Sequence, residues 1–369
     1  MSLPVAEVAN DRIGVRLRPA SSMSLHSAEF WRTDGNSPVR AEGGGVTVLF
    51  SDYQPLGRTF RRRSEHPHAI EGKSLPVQLI ADPDPRVGKW IEGMWRDPTG
   101  VLHGWYHAEE LAPCVARLYV PHIGELVSHD DGKTWRCCGE VLRAPATQID
   151  CTWRNGFFAG GRGDLSVVPD RNGGFLYLAF SSYLLDEAAQ GVVMARLPAS
   201  RPSVPCDGLE LWCADGWRPA AEGRFAKPLW PQGRGWRHSD PTGFWGPAIH
   251  YNRGLDAYVM LLNRTANGAA NLLQEGIYLC VNPDIENPEG WSEPLQLVTG
   301  GAWYPQVVGL EDGQGDTIAG SPARFFMGGF SAWEIELFDP GRTKFANRPL
   351  VPTRAQFAEA FGAEKRSPW

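Results

Sequence analysis

The sequence predicts an all-β protein, a propeller of five four-stranded antiparallel blades, and three observations predict it. The stretch Lys89 to Glu110, KWIEGMWRDPTGVLHGWYHAEE, reads as two short strands joined by the tight turn Asp97-Pro98-Thr99-Gly100. Units of the same build begin near Gly163, Trp245 and Tyr304, each with a polar or acidic start, an apolar strand, a Gly- or Asp-bearing turn and a second aromatic-rich strand. The 42 glycines and 30 prolines fall between short apolar runs and form no tracts, which speaks for many turns and against disorder or a collagen-like repeat. Units of this kind at a spacing of tens of residues are the mark of radial repetition, and a chain of 369 residues holds one such ring as a single domain, residues 1–369.

In chain order, Ile13 to Leu17 alternates like a strand and the Ser-rich segment Ser21 to Ser27 reads as loop. Gly43-Gly44-Gly45 introduces the β-branched run Val46 to Phe50. Four units follow from residue 89, so the N-terminal segment supplies the fifth and shares strands with the last unit to close the ring; a sixth blade stays open. The string Ser128 to Trp135, Ser-x-Asp-x-Gly-x-Thr-Trp, resembles an Asp box, in which the carboxylate caps the amides of a tight turn, Gly132 is left-handed and Trp135 packs beneath. The third unit extends through Gly191 to Leu197 and a strand near Leu209 to Trp217; the fourth through Gly276 to Cys280 and Trp291 to Val298; the fifth through Ala323 to Phe330 and Trp333 to Phe338. Only residues 353–364 have helical character.

Composition excludes several classes. A net charge of -6 and a pI near 5.9 give no reason to expect nucleic acid, and Arg61-Arg62-Arg63 reads as a solvated strand end. Seven cysteines without a CxxC signal neither a disulfide framework nor a zinc knuckle, so mostly reduced thiols are expected. No basic region followed by an apolar run opens the chain, and no 18-residue apolar stretch occurs. The expectation is a soluble, cytoplasmic protein that needs no membrane; a leader removed in maturation would leave no trace. Oligomeric state is not legible.

In a propeller, the first strand of each blade begins at one rim of the central channel and the second returns to it, so these ends crowd around one pocket. The rule selects Glu92, His107 and Glu109 from the second blade and Arg162, Asp164 and Tyr183 from the third. From the fourth it selects Trp245, His250 and Arg264, and from the fifth Trp303 and Tyr304, with Arg324 as a further polar wall. Asp52 is a further carboxylate from the first blade. Carboxylates facing one another in an aromatic-lined pocket are what glycosidic cleavage requires, one protonated to meet the leaving oxygen and one ionised as base or nucleophile. The 15 tryptophans fit sugar stacking as well as blade packing. No cofactor is expected; a channel metal held by His and carboxylate oxygen stays open, though no ligand spacing identifies one.

On these residues the chain resembles the five-bladed β-propeller glycoside hydrolases, the group of the arabinanase and xylosidase family 43 and the invertase and levanase family 32. Trp95-Arg96-Asp97-Pro98-Thr99-Gly100 looks like the Trp-Met-Asn-Asp-Pro-Asn-Gly string of invertases, and Arg162-Gly163-Asp164 looks like their Arg-Asp-Pro. The resemblance implies Asp97 as nucleophile and Asp164 as transition-state stabiliser. It departs at Trp245-Gly246-Pro247, where no Glu-Cys pair supplies the acid, and Asp-Pro-x-Gly is also ordinary hairpin chemistry at the opposite rim. Glu92 and Asp164, with Glu109 and His107 in support, are therefore the expected catalytic group of a glycosidase acting on a carbohydrate. A non-catalytic propeller that binds carbohydrate or protein is the alternative. Arg162, Arg264 and Arg324 together raise the arginine clamp of sialidases, which carry more than one Asp box.

Overall fold

A computed structural model describes residues 6–26, 32–52, 57–66, 70, 72–200, 207–265, 274–342 and 350–351. The described chain is a ring of five antiparallel sheets around a channel. Blade I is Val39–Glu42, Gly45–Asp52, Arg58–Ser64 and Leu75–Pro76. Blade II runs from the inner strand Lys89–Arg96 through Leu102–Leu111 and Tyr119–Ser128 to Thr134–Leu142. Blade III follows with Arg162–Pro169, Phe175–Ser182, Gly191–Pro198 and Glu210–Cys213, and blade IV with Phe244–Asn252, Ala257–Thr265, Gln274–Asn282 and Leu295–Thr299. Blade V takes Gln306–Val308, Ala323–Met327 and Phe330–Phe338 from the end of the chain and Gly14–Ser24 from its start, Val15 pairing with Leu337.

One sequence expectation about the sheets is corrected here. Four blades are not four-stranded: the short strands Ala6–Ala9, Gln78–Ile80, Gly216–Pro219 and Ile318–Ala319 each add a fifth. The expected strand Val46 to Phe50 is found within Gly45–Asp52, the second strand of blade I. Gly43 and Gly44, at φ +60° and +78°, turn the chain back from the true inner strand Val39–Glu42, too short to register as a β-run of its own.

Blades are buried on both faces, which is why their strands read as near-continuous apolar runs. Along blade III, Val167, Leu178 and Phe180 pack with Trp105 and Ile123 of blade II, while Val168, Tyr177 and Ala179 pack with Ile249, Tyr258 and Met260 of blade IV. Neighbours in sequence thus serve opposite wedges. At the outer edge of blade II, Asp130 Oδ1 accepts the amides of Lys133 and Thr134, Gly132 has φ +77° and Trp135 is fully buried.

The arginine run is not a solvated end. Arg62 is buried with Nη1 on the His26 carbonyl at 2.9 Å, and Arg61 pairs with Asp131. Cys114 and Cys151, 37 residues apart, meet with Cα atoms 5.3 Å apart and form a disulfide, while the other described thiols are reduced, in keeping with the expectation of mostly reduced thiols. Cys137, Cys138, Cys213 and Cys280 are free; Cys206 and the helix expected over 353–364 lie outside the described residues. Among the described residues no helix is long and apolar enough to cross a membrane.

Candidate active site

The hairpin of blade II carries the centre of the site. His107 and Glu109 stand two apart on the returning strand and therefore share a face, while Glu92 comes from the inner strand beside a register shift between Ile91 and Gly93. His107 Nδ1 lies 3.6 Å from Glu92 Oε1 and 3.7 Å from Asp164 Oδ1, and its Nε2 lies 3.6 Å from Glu109 Oε1. One imidazole thus sits among three carboxylates from two blades.

Backbone geometry brings these groups together. A Cβ on Gly163 would lie 2.8 Å from His107 Nε2, so only glycine lets blade III approach the imidazole. The next residue, Asp164, holds φ +43°, a left-handed conformation unusual for a side chain other than glycine, at a bulge between Gly163 and Leu165. Tyr183 donates its hydroxyl to Asp164 Oδ2, and Tyr304, itself at φ +52°, donates to Oδ1 at 3.1 Å. The two strained residues hold each other.

A further carboxylate comes from Asp34, which the sequence reading passed over because the four-residue strand that follows it, Val39–Glu42, carries too little pattern to be recognised. With the inner strand at Val39–Glu42, Thr33-Asp34-Gly35-Asn36-Ser37-Pro38 is the polar, acidic start of blade I, the same signal that identified the others. Gly35, at φ +131°, passes so close that a Cβ there would meet Glu92 Oε1 at 2.6 Å. Below it Asn36 Nδ2 donates to the carbonyls of Leu165 and Pro247 at 2.8 and 2.7 Å, and Ser37 and Gln306 bond each other, plugging the channel under the site.

Burial sets the protonation states. It pushes Glu92 up to about 7 against the pull of His107, and Glu109 likewise to about 7. Burial also raises Asp34, with Arg32 opposing, to about 6. For His107 burial works downward, but Glu92, Asp164 and Glu109 outweigh it and lift the imidazole to about 9. The amide of Asp164 donates to Nδ1 at 3.2 Å, which asks for a bare lone pair there. The two demands conflict: the fixed amide favours a neutral ring with its proton on Nε2, facing Glu109, and the carboxylates favour the cation. With three acids within 4 Å of the ring, the cation prevails.

Accessibility divides the carboxylates. Glu92 and Asp164 are each 2% exposed; Glu92 Oε2 accepts the Leu165 amide at 2.6 Å, and both oxygens of Asp164 take tyrosine hydroxyls. Glu109 keeps 23% of its side chain exposed and Asp34 is half-buried. Around them Trp245 packs edge-on against Trp303 and Tyr304, with the Arg32 guanidinium 4.5 Å above the Trp303 ring.

Other expected residues lie elsewhere. Arg264 pairs with Glu275 and stacks on Phe244 and Tyr278, and Arg324 is held by Ser331 and the Ser21 carbonyl, so no arginine clamp assembles. Arg162 is buried and burial lowers its pKa to about 10 with no acid offsetting it; His250 is buried in its strand and pushed down to about 3. Asp52 ends its strand at the same rim as Asp34, whose amide donates to the Ser51 carbonyl. Asp97 caps its own hairpin, accepting from the amides of Thr99 and Val101, at the far rim.

A cation is a poor fit to the cluster. Glu92, His107 and Asp164 each offer an atom within 4.8 Å of the others, but the three acids hold His107 as the cation, which has no lone pair to give a metal, and Asp164 is saturated by its tyrosines. In a second group, Glu110, His122 and Glu140, the place of a cation is taken by the Arg143 guanidinium.

No protein-family model matches the chain, and no curated protein matches its sequence. Solved structures match in the course of the chain. An arabinanase of Bacillus subtilis is 14% identical, with 83% of this chain and 94% of that one covered and a TM-score of 0.46. A GH43 enzyme of Xanthomonas citri, solved with xylotriose, is 13% identical over 95% and 96% of the two chains, with a TM-score of 0.49. An α-L-arabinofuranosidase of Podospora anserina, solved with cellotriose, is 10% identical over 91% and 96%, with a TM-score of 0.47. The chemistry has to be read from this chain's own side chains.

Proposed function

We propose that the protein is a glycoside hydrolase in which Glu109 is the general acid and Asp34 the general base. The observation that carries this reading is the pair itself: two accessible carboxyls from different blades, raised to about 7 and about 6, in one aromatic-walled pocket. Protonated Glu109 gives its proton to the glycosidic oxygen as the bond to the anomeric carbon breaks. Ionised Asp34 takes a proton from the water whose oxygen bonds to that carbon. His107 faces Glu109 and positions it, while Glu92 and Asp164, buried and engaged, hold the imidazole and shape the field.

The test is a screen of purified protein against aryl glycosides of pentoses, hexoses and fructosides and against polysaccharides, beside Glu109→Gln and Asp34→Asn. Turnover by the wild type that both variants lose, with unchanged unfolding midpoints, is the expected result. Silence on every glycoside, with sugars raising the midpoint equally in all three proteins, would replace the hydrolase with a carbohydrate-binding propeller.

A further inference from the structure

We propose that the Cys114–Cys151 cystine is a reducible latch that positions Glu109, and that a dithiol reductant opens it and slows the site. The inference rests on the reading of Glu109 as the general acid. Glu109 stands where its strand leaves the sheet. The inner strand of blade II pairs with Leu102–Leu111 only as far as Ala108, opposite Lys89, and Thr134–Leu142 pairs with Tyr119–Ser128 only from Ile123 onward. Beyond Ala108, residues 109–111 have only 119–121 as a backbone partner among the described residues, whereas Tyr119 is also bridged to Phe158. Two strands alone are marginal in water. Within this ribbon Glu109 lies opposite Pro121, which has no amide to give.

The ribbon is steadied at its tip. Between Ala112 and Leu118 the backbone bonds of the turn run within it: the Ala112 amide to the Leu118 carbonyl, Cys114 to Ala112 and Leu118 to Ala116. Ala112 and Leu118 are buried, but Val115 at the crest is fully exposed. Glu110 meets Arg143 at 2.7 Å, yet both side chains are a third or more exposed, and such pairs hold little. Cys114 joins the tip covalently to Cys151. That far side is anchored, since Asp150 donates its amide to the Ala159 carbonyl at 2.8 Å and Arg154 to that of Arg237 at 3.0 Å. The cystine thus ties the strand that carries Glu109 to the connection between blades II and III.

The bond is open to reagents, Cys151 being exposed and Cys114 half-buried. A thiolate of the reductant attacks Cys151 Sγ, the S–S bond breaks, and Cys114 leaves as a thiolate that takes a proton. The second thiol of the reductant then attacks its own first sulfur and displaces Cys151. The protein gains two electrons and two protons, and the reductant ends as a disulfide. With the tip released, Glu109 is no longer held against His107. Burial, with His107 pulling the other way and Asp34, Asp164 and Glu92 adding to it, keeps the Glu109 carboxyl at about 7; exposure returns it toward its ordinary range.

The full chain in dithiothreitol, beside untreated protein and the double variant Cys114→Ser, Cys151→Ser, tests this. Alkylation read by mass spectrometry should find both thiols after dithiothreitol, and the amides of residues 109–118 should then exchange hydrogen about tenfold faster or more. On a glycoside that the oxidised protein cleaves, kcat should fall about tenfold with KM little changed. The alkaline limb of the rate profile should move below about 7, and reoxidation should restore both. A bond that only stabilised the fold would lower the unfolding midpoint and leave that limb in place. The double variant should behave as the reduced protein with or without dithiothreitol. A cystine that resists dithiothreitol, a ribbon that exchanges alike in both states, or turnover and limb indifferent to reduction would each overturn the latch. Exchange needs no substrate, so a faster ribbon in a protein silent on every glycoside would support the latch and remove the hydrolase reading instead.

Discussion

Glu109 and Glu92 are both raised to about 7 by burial, but only Glu109 keeps an open face, so the two should answer differently to substitution. Glu109→Gln should lower kcat by about 10²–10⁴-fold on natural linkages and much less on aryl glycosides whose leaving groups need no proton. The rate itself should trace a bell, its acid limb near 6 as Asp34 ionises and its alkaline limb near 7 as Glu109 loses its proton. Glu92 acts on stability. Its folded pKa lies above its ordinary 4.5 and that of His107 above 6.5, so both hold protons more tightly folded than unfolded, and stability falls as pH rises from about 4.5 through 7 to 9. Unfolding midpoints measured across that range should decline more steeply for the wild type than for Glu92→Gln. Tyr304→Phe removes the donor from a buried carboxylate and should cost about 1.5–3 kcal/mol in urea unfolding.

At the scale of the element, the blade II hairpin shows how much the sequence reveals. Its turn chemistry, its alternation and the shared face of His107 and Glu109 are local properties and were legible from residues 89–110 alone. The engagement of Asp164 by Tyr183 and Tyr304 was not, since it joins residues 140 apart and depends on left-handed backbone at two non-glycine positions. Asp34 was hidden for a different reason: four residues of inner strand carry too little pattern to be recognised without the ring that completes them. The cystine was equally out of reach, because which cysteines meet follows from which loops share a rim. Trp135, fully buried with its indole N–H on the Gly132 carbonyl, fixes the outer hairpin to Leu102 and Leu126. Trp135→Ala should cost about 3–5 kcal/mol while leaving pocket residues in place, measurable by denaturant unfolding beside the activity assay.

At the scale of the whole molecule, the ring closes where Gly14–Ser24 pairs with Phe330–Phe338, so the blade that carries Tyr304 draws on both ends of the described chain. The five wedges between blades are apolar, and the polar chemistry is confined to the two mouths, where strand ends and turns gather. Between those mouths stand Asn36 and Gln306, bonded to three neighbouring segments. The propeller is therefore two shallow cups set base to base and not a pipe. A long polymer has no route through it, and whatever enters the upper cup must back out the way it came.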